Sequence, residues 1–317
     1  MRTVLVTGVS RYVGGRLATA LGSDPSIDRV VGVDVVAPSS HIPGVEFIRA
    51  DIRNPVIVKV LGESGVDTVV HAGAIATPRQ AGSRSTMKEI NVIGTMQLLA
   101  ACQRAPSVSN LVVKSTAAVY GAGPRDPALF TEDTEPSTPP TSGWAKDSVE
   151  VEAYVRGFAR RRPDVTVTTL RLANIVGPRI RTGMTEYLGL RVVPTVLGFD
   201  PRLQFVHEDD AVAALHHAVV APVKGTFNIA GEGTVVLSQA LRRLGKRGVS
   251  VPSAMVSPIG RALGPSGFAD FSPEAIRLLT YGRGLDTSAM SGSFGFRPQA
   301  STEEALLALR EKVSVDA

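Results

Sequence analysis

The stretch VTGVSRYVGGRLA, residues 6–18, joins the end of a β-branched run to a glycine turn and an apolar helix pattern. Gly8 follows the first predicted strand, and Gly14 and Gly15 stand at the start of the predicted helix. Glycines here allow a tight turn and let the backbone approach a pyrophosphate. The helix N-terminus then presents N–H groups and the positive end of its dipole to that anion. The stretch therefore predicts a strand–turn–helix unit that binds a dinucleotide.

An acidic residue stands where such a unit needs one. The second predicted strand, RVVGVD, ends at Asp34, 20 residues beyond Gly14, a position that suits a carboxylate bonded to both adenosine ribose hydroxyls. A 2′-phosphate about 4 Å from that carboxylate would cost on the order of 4 kcal/mol at an effective dielectric constant near 20. This corresponds to roughly a thousandfold loss of affinity. We therefore expect the cofactor to be NAD rather than NADP.

Strand and helix patterns alternate from the first residues to about Gly177. Apolar strands that alternate with helices are typical of a parallel sheet covered on both faces. We predict an α/β fold, a Rossmann-type doubly wound parallel sheet with a smaller, mixed C-terminal substrate lobe. The NAD-binding lobe is expected at residues 1–177, with 203–231 returning to it in part, and the substrate lobe mainly at 178–317. Residues 121–143 lack a period of their own, and a loop of that length is usually functional.

Composition and charge argue against several classes of protein. Hydrophobic residues make up 44% of the chain and charged residues 20%, and no apolar run approaches the ~20 residues of a membrane helix. Cys102 is the single cysteine, which prevents an internal disulfide and fits a reducing cytoplasm. It lies in the apolar run MQLLAACQ, where we expect a small core residue. The net charge is +5, and arginine supplies most of the positive charge, in clusters where we expect helices to end. Aromatic residues make up 5% of the chain and do not interleave with these clusters. We expect a cytoplasmic protein that binds neither a membrane nor nucleic acid.

The acidic run at His207, Glu208, Asp209 and Asp210 is the strongest candidate for a metal site. We interpret it as a strand end, where side chains alternate and four adjacent ligands cannot face one ion. We therefore expect no metal.

The segment TGVSRYVG, residues 7–14, resembles the TGxxGxxG signature of the short-chain dehydrogenase/reductase superfamily. Nearly the whole chain is similar to its extended branch, the NAD-dependent epimerase/dehydratase family, and most of all to bacterial UDP-glucose 4-epimerase-like proteins. Further segments that carry the resemblance are DI (51–52), HAGA (71–74), INVIGTMQLLAAC (90–102), KSTAAVYG (114–121), RLANIVGP (171–178) and FVHEDDAVAAL (205–215).

The resemblance implies an NAD site along the glycine turn and the strand ends. The residues that it assigns to the cofactor are Gly8, Arg11, Tyr12, Val13, Gly14, Asp34, Asp51, Ile52, Ala72, Gly73, Ala74, Asn91 and Lys146. Arg11 departs from the family pattern, because it occupies the place of the central glycine. Its side chain is expected to point to solvent, to pair with a pyrophosphate oxygen, or to bind the 2′-phosphate of NADP.

The segment PPTSGWAKDSVE, residues 139–150, carries the second departure. The family has YxxxK here, and its tyrosine gives or takes a proton while the lysine binds the nicotinamide ribose and lowers the tyrosine pKa. Ser142 stands where the tyrosine is expected, four residues before Lys146, and an aliphatic hydroxyl is a poor acid near pH 7. Thr116 matches the family's catalytic Ser/Thr. The proton donor is left open among Thr116, a water held by Ser142, a group on the substrate, and the nearby Tyr120 and Tyr154.

The resemblance also implies a substrate and a partner. Asn174 is expected to contact the substrate, a nucleotide sugar or a related carbonyl or hydroxyl compound. Arg179 lies in the segment that varies, and we expect it to contact an anionic group of the substrate. The long helices predicted over 85–103 and 143–161 imply a homodimer. Three functions follow: an epimerase or dehydratase with an altered site, an NAD-bound regulatory or scaffold protein with weak or no turnover, and an NAD(P)H-dependent ketoreductase that lacks the usual tyrosine.

Overall fold

The structure is a computed structural model that describes residues 2–76, 82–263 and 271–315. In chain order, the strands are β1 Thr3–Thr7, β2 Arg29–Asp34, β3 Val45–Arg49, β4 Thr68–His71, β5 Asn110–Thr116, β6 Thr166–Leu172, β7 Asn174–Val176, β8 Val192–Val196, β9 Arg202–Leu203, β10 Phe205–His207, β11 Gly225–Ile229, β12 Val235–Val236 and β13 Arg247–Val251. The helices are α1 Tyr12–Gly22, α2 Val56–Ser64, α3 Arg84–Lys88, α4 Gly94–Arg104, α5 Gly143–Arg161, α6 Gly183–Gly189, α7 Glu208–Val220, α8 Leu237–Arg243, α9 Ser253–Leu263, α10 Pro273–Tyr281, α11 Ser288–Ser291 and α12 Thr302–Val315.

Seven strands form the central sheet in the order β11-β6-β5-β4-β1-β2-β3. The neighbouring pairs from β5 to β3 are all parallel. The strand order reverses between β1 and β4, because the chain moves outward from β1 to β3 and then outward on the other side from β4. Ligands of open α/β sheets bind at such a switch point, outside the carboxyl ends of the strands. The predicted Rossmann-type doubly wound sheet is confirmed.

The β-branched and aliphatic strand residues bury both faces of this sheet. Leu5, Leu111 and Val113 belong to one buried cluster, to which α2, α4 and α5 also contribute. Successive strand residues point to opposite faces, so Val6 and Val112 lie on the other face. Helix α1 covers that face and contacts β1, β2 and β3. Because each strand is enclosed from both sides, its sequence is an apolar run rather than an alternation.

The chain divides into two compact units. One comprises Met1–Ser115, Asp147–Arg171 and Val212–Phe227, and the other comprises Thr116–Lys146, Leu172–Ala211 and Asn228–Ala317. The first unit holds most of the central sheet. The second has its own buried core, which includes Phe205, Leu237 and Leu306, and the small pairs β10–β7, β12–β9 and β13–β8. The functional lobes expected at 1–177 with 203–231, and at 178–317, stay a prediction.

Two local expectations differ from the structure. The helix expected over 85–103 is interrupted by a π-helical turn, Glu89–Ile93, between α3 and α4. Such turns are frequent at functional sites. The acidic run lies only in part at a strand end, because His207 ends β10 whereas Glu208, Asp209 and Asp210 form the first turn of α7. Three carboxylates at a helix N-terminus complement its dipole, and that interaction favours helix over strand here.

Other expectations are confirmed. Helix α5 runs from Gly143 to Arg161 and ends in Arg160 and Arg161, as the basic cluster predicted. Cys102 is fully buried in the sheet core, and burial raises the pKa of its thiol to about 12, so it is a core residue.

The cytoplasmic location stays a prediction. Among the described residues, no helix combines the length and the apolar character needed to cross a bilayer.

Candidate active site

The glycine turn after β1, here called the glycine cradle, is packed so closely that Gly8 and Gly14 cannot carry side chains. Gly8 has a left-handed φ of +78°, and a Cβ added to it would lie 2.4 Å from the Cα of Gly73. A Cβ added to Gly14 would lie 2.2 Å from the carbonyl oxygen of Gly8. The ends of β1 and β4 therefore touch through glycine backbone at the switch point, where the N-terminus of α1 begins. Glycine turns of this kind, placed between a strand and a helix N-terminus, are typical of dinucleotide-binding folds.

Arg11 enters this cradle without strain. It is the N-cap of α1, with φ −98° and ψ 154°, an extended conformation that any residue adopts. Its N–H donates to the carbonyl of Gly8 at 3.1 Å. Burial lowers the pKa of the Arg11 guanidinium, and the negative charge of Asp34 opposes that shift. The side chain is therefore partly withdrawn from solvent, on the side of the cradle that faces Asp34.

The two residues after Arg11 are anchored in α1. Val13 is buried. The Tyr12 hydroxyl accepts a hydrogen bond from Arg16 at 3.2 Å, and the Arg16 guanidinium lies 5.7 Å from the centre of the Tyr12 ring.

Asp34 is held in place by backbone donors. One carboxylate oxygen accepts the N–H of Ser10 at 3.1 Å, and the other accepts the N–H of Val35 at 2.8 Å. A carboxylate has about four lone-pair directions, so acceptor capacity for ribose hydroxyls remains. The β2 end therefore presents an oriented carboxylate next to the glycine turn.

Asp51 is more strongly engaged. Arg53 Nε lies 3.0 Å from both of its carboxylate oxygens, and Arg53 Nη2 lies 2.6 Å from one of them. These hydrogen bonds lower the pKa of Asp51, which stays ionised with its charge offset by Arg53. Ile52 lies partly buried beside Gly94 of α4. The structure thus provides a fixed acceptor after β3, in keeping with the adenine contact that the resemblance implies.

Asn91 fixes the loop that contains Ala72, Gly73 and Ala74. Its buried side chain accepts the N–H of Ile75 at 2.7 Å and donates to the carbonyl of Ile75 at 2.8 Å. The π-helical turn places this amide opposite the loop. The sequence predicted Asn91 as a cofactor residue, and the contacts in the structure are to the loop.

His71, at the end of β4, is buried between two threonines. Its Nδ1 lies 3.0 Å from Thr7 Oγ1 and its Nε2 lies 2.8 Å from Thr95 Oγ1. The Thr95 hydroxyl donates a hydrogen bond to the Asn91 carbonyl at 2.5 Å, so its oxygen accepts the hydrogen bond from the His71 Nε2–H. The His71 Nδ1 then accepts a hydrogen bond from the Thr7 hydroxyl. Burial, with repulsion from Lys114, lowers the pKa of His71 to about 4. His71 is therefore a neutral structural residue.

The segment from Thr116 to Lys146 lies in the other unit. Thr116 ends β5 and caps the 3₁₀ turn Ala117–Tyr120, where its Oγ1 accepts the N–H of Ala118 at 3.2 Å. The Lys146 N–H donates to the Ser142 carbonyl at 3.3 Å, so Ser142 and Lys146 stand one helical turn apart on the same face. The Lys146 side chain is exposed. The spacing expected from the resemblance is therefore present, with a serine in place of the phenol.

Sequence reasoning missed a carboxylate beside Ser142. Glu274, in the first turn of α10, accepts the Thr141 N–H at 3.1 Å and the Ser142 hydroxyl at 3.4 Å through Oε1. Its Oε2 is buried and has no hydrogen-bond partner among the described residues. The sequence gives no signal of this contact, because 132 residues separate Ser142 from Glu274.

The two tyrosines considered as substitute acids are placed differently. Tyr120 is 1% exposed, donates to Asn228 Oδ1 at 2.7 Å and packs on Phe130, with the ring centres 4.9 Å apart. Tyr154 lies on α5 and is 39% exposed. The Tyr120 hydroxyl is thus committed to a structural hydrogen bond.

The predicted substrate residues lie around β7. Asn174 begins that strand and is partly exposed. The Arg179 side chain is exposed, and its backbone N–H donates to the buried Glu208 at 3.3 Å. Glu208 also accepts the N–H of Ile180 at 2.7 Å, so this acidic residue holds the loop in place. Within the described part of the chain, no cluster of three or more potential metal ligands occurs.

Comparison with known proteins agrees with this geometry. The model of the NAD-dependent epimerase/dehydratase family matches residues 4–230. An uncharacterized protein of Mycobacterium tuberculosis is 46% identical over 308 residues, which cover 96% of this chain and 82% of that protein. The UDP-glucose 4-epimerase of Corynebacterium glutamicum is 30% identical over 204 residues, covering 61% and 57% of the two chains.

A solved structure has the same fold. The UDP-glucuronic acid 4-epimerase of Bacillus cereus, in complex with NAD, superimposes with a TM-score of 0.73 at 19% identity and covers 99% of both chains. The family match, which spans more than half of the chain, and the shared fold lead to one assignment. The chain belongs to the NAD-dependent epimerase/dehydratase family, within the extended short-chain dehydrogenase/reductase superfamily.

Proposed function

We propose that this protein is an NAD-dependent oxidoreductase of the epimerase/dehydratase type that acts on a nucleotide sugar or a related carbonyl or hydroxyl compound. The observation that carries the proposal is the glycine cradle at the switch point, where a Cβ on Gly8 or Gly14 would meet backbone atoms. The family assignment supports the reaction type. The C. glutamicum relative, a UDP-glucose 4-epimerase, supports a nucleotide sugar as the substrate class.

The residues present fit a dinucleotide. The glycines close the turn through backbone contacts, and the diphosphate would bind at the N-terminus of α1, whose first turn has no acidic residue. Asp34 would accept the adenosine ribose hydroxyls, Asp51 would face the adenine, and Lys146 would bind the nicotinamide ribose. Bound NAD supplies a nicotinamide ring that takes up and returns a hydride. Asp34 favours NAD over NADP, as does the NAD complex of the B. cereus structure.

The residues of this chain would handle the proton. Thr116 would hydrogen-bond the reacting substrate oxygen. The substrate hydroxyl would pass its proton to Ser142 Oγ, while the Ser142 proton moves to Glu274 Oε1, the oxygen that already accepts it. The same transfers in reverse return a proton to the substrate oxygen. Glu274 gives the aliphatic hydroxyl a base, which it needs because it is a weak acid by itself.

Turnover without the tyrosine is energetically reasonable. A positioned acid or base contributes about 10²- to 10⁴-fold, or about 3 to 5 kcal/mol. Holding the reactants in the right geometry contributes up to about 7–11 kcal/mol. Reduction of a simple ketone requires the same residues and is the nearest variant of the reaction.

A second function is favoured by Ser142 itself. If the Ser142–Glu274 contact transfers no proton, the protein binds NAD without turnover and acts as a regulatory or scaffold protein. The cofactor residues would be the same in both cases, so NAD binding does not distinguish the two functions. Turnover does.

The experiment has two stages. Mass spectrometry of protein released under denaturing conditions, with calorimetry of NAD and NADP, is expected to identify NAD as the bound dinucleotide. Product analysis with a panel of UDP-sugars and ketones is expected to show turnover that Thr116→Ala abolishes and that Glu274→Gln lowers about 10²-fold or more. Arg179→Ala and Asn174→Ala should raise KM more than they lower kcat. Wild-type protein that is inactive while Ser142→Tyr is active would establish the regulatory function instead.

We also propose a homodimer formed through the π-helical turn, α4 and α5. Ile93, Met96 and Tyr154 are large apolar side chains on these helices and are 43%, 38% and 39% exposed. Light scattering is expected to give twice the 33.3 kDa mass of one chain, and a monomer would remove the proposal.

A further inference from the structure

We propose that Lys114 is a cofactor-binding residue that, together with Arg11, forms a two-cation seat for the diphosphate of the dinucleotide. The proposal rests on NAD binding as set out above and adds side-chain charge to a site that would otherwise bind its anion through backbone N–H groups. Neither the motif spacing nor the family resemblance pointed to Lys114.

The sheet register places Lys114 at the switch point. Thr7 pairs with His71 in the β1–β4 ladder, and His71 pairs with Val113 in the β4–β5 ladder. Lys114 follows Val113 by one residue, as Gly8 follows Thr7. Lys114 therefore lies in the same row across the sheet as the cradle glycine, with the end of β4 between them.

The side chain lies on the face from which α1 begins. Leu111 and Val113 belong to the cluster packed by α2, α4 and α5, so alternation places Lys114 on the opposite face. Helix α1 covers that face, and Arg11 is its N-cap. Thr116 follows Lys114 by two residues along β5, so both side chains lie on the same face of the strand. A ligand that runs along this edge from Asp34 toward Lys114 would pass Arg11.

Electrostatics agree with this placement. The Lys114 pKa is lowered to about 8, first by burial and then by the positive charge of Arg11. The Arg11 pKa is also lowered by burial, an effect that the negative charge of Asp34 opposes. Within the described part of the chain, the titratable groups that interact electrostatically with Lys114 are Arg11 from the start of α1 and His71 from β4, and neither is an anion.

The Lys114 ammonium makes no hydrogen bond or ion pair within residues 2–76, 82–263 and 271–315. Two partly desolvated cations side by side are unfavourable unless an anion lies between them. A diphosphate, with its two negative charges, meets this requirement. An extra unit charge about 6 Å from the anion is worth roughly 100-fold in affinity at an effective dielectric constant near 20.

Calorimetry with matched variants tests the proposal. Lys114→Met removes the charge while keeping much of the side-chain volume, Lys114→Arg keeps the charge, and Lys224→Met removes an exposed lysine that precedes β11. The ligands are NAD, ADP-ribose, which has the diphosphate but no nicotinamide, and adenosine, which has neither. We expect Lys114→Met to weaken NAD and ADP-ribose about 10- to 100-fold and adenosine less than twofold, with Lys114→Arg and Lys224→Met close to wild type.

A pH series gives a second readout that a structural role would not affect. An anion stabilises the protonated lysine, so wild-type affinity for ADP-ribose should fall as the pH rises through about 8, the pKa of Lys114 in the free protein. Lys114→Met should lack this fall. The thermal stability of each variant without ligand serves as the folding check, and Lys114→Met should be at least as stable as wild type because it removes an unpaired cation.

The outcomes separate the two proposals. Wild-type protein that binds no dinucleotide would overturn the proposed function. Wild-type protein that binds NAD, with a folded Lys114→Met of equal affinity, would overturn the two-cation seat alone.

Discussion

Two regions of the molecule differ in what they require of the sequence. In the glycine-turn region, from Gly8 to Asp34 with the Gly73 loop, Arg11 stands where the resemblance implies a glycine, and its backbone is extended and unstrained. In the Thr116–Lys146 segment, Ser142 stands one helical turn before Lys146, where the resemblance implies a tyrosine. The first region depends on backbone positions that tolerate few residues. The second depends on one side chain, which can change without disturbing the fold.

The largest expected effect tests the steric requirement of the first region. Gly8→Ala places a methyl group 2.4 Å from the Gly73 Cα at a left-handed φ. The strained backbone and the overpacking together should lower the free energy of unfolding by about 3 to 5 kcal/mol and abolish NAD binding. Denaturant unfolding with calorimetry measures both.

The control is Gly62→Ala, in the interior of α2. A Cβ there meets no atom within 4 Å, so the variant should gain up to about 1 kcal/mol of stability. Equal stabilities for the two variants would show that the cradle is not closely packed.

His71 should make the first region sensitive to acid. Its pKa is about 6.5 in the unfolded chain and about 4 in the folded protein. Between pH 4 and 6.5 the unfolded chain therefore binds more protons than the folded protein. The contribution of neutral His71 to the free energy of unfolding is complete above pH 6.5 and is lost as the pH falls toward 4. The loss should reach about 3 kcal/mol. Unfolding of His71→Gln at pH 7 and pH 4.5 should show a smaller difference than wild type, whereas His41→Gln, at an exposed histidine, should behave like wild type.

Asn91→Ala tests whether the loop beside Gly73 must be held. The substitution leaves the N–H and carbonyl of Ile75 without their buried partner and should cost about 2 kcal/mol of stability. NAD affinity should fall as well, because the loop that faces the cradle is released. Asn54→Ala, which removes one exposed bond to the Val56 N–H, should cost less than about 1 kcal/mol. Unchanged NAD affinity in a destabilised Asn91→Ala would separate the loop from the cofactor.

The smallest effect on stability is expected in the second region. Ser142→Ala removes a hydrogen bond of 3.4 Å to Glu274 and should change the free energy of unfolding by less than about 0.5 kcal/mol. NAD affinity should not change, while any turnover should fall 10²- to 10⁴-fold. A large loss of stability would instead identify the Ser142–Glu274 contact as structural, and the contrast between the two regions would disappear.

Sequence patterns predicted the local features well. The helix Gly143–Arg161, the glycine turn before α1 and the burial of Cys102 all follow from short segments whose apolar spacing or glycines leave few alternatives. The strand expected over the acidic run ends at His207, because the preference of Glu208, Asp209 and Asp210 for a helix N-terminus outweighs the extended pattern before them. The π-helical turn at Asn91 could not be seen either, since its sequence has an ordinary helical period.

The sequence by itself determined the doubly wound sheet and its glycine cradle, because strand, turn and helix preferences act over a few neighbouring residues. Only the tertiary structure decided what surrounds the replaced residues. Glu274 reaches Ser142 across 132 positions, and sheet register brings Lys114 into the row of Gly8. Such contacts depend on how separate elements pack, and residues far apart in the sequence that interact through their charges form no recognisable sequence pattern.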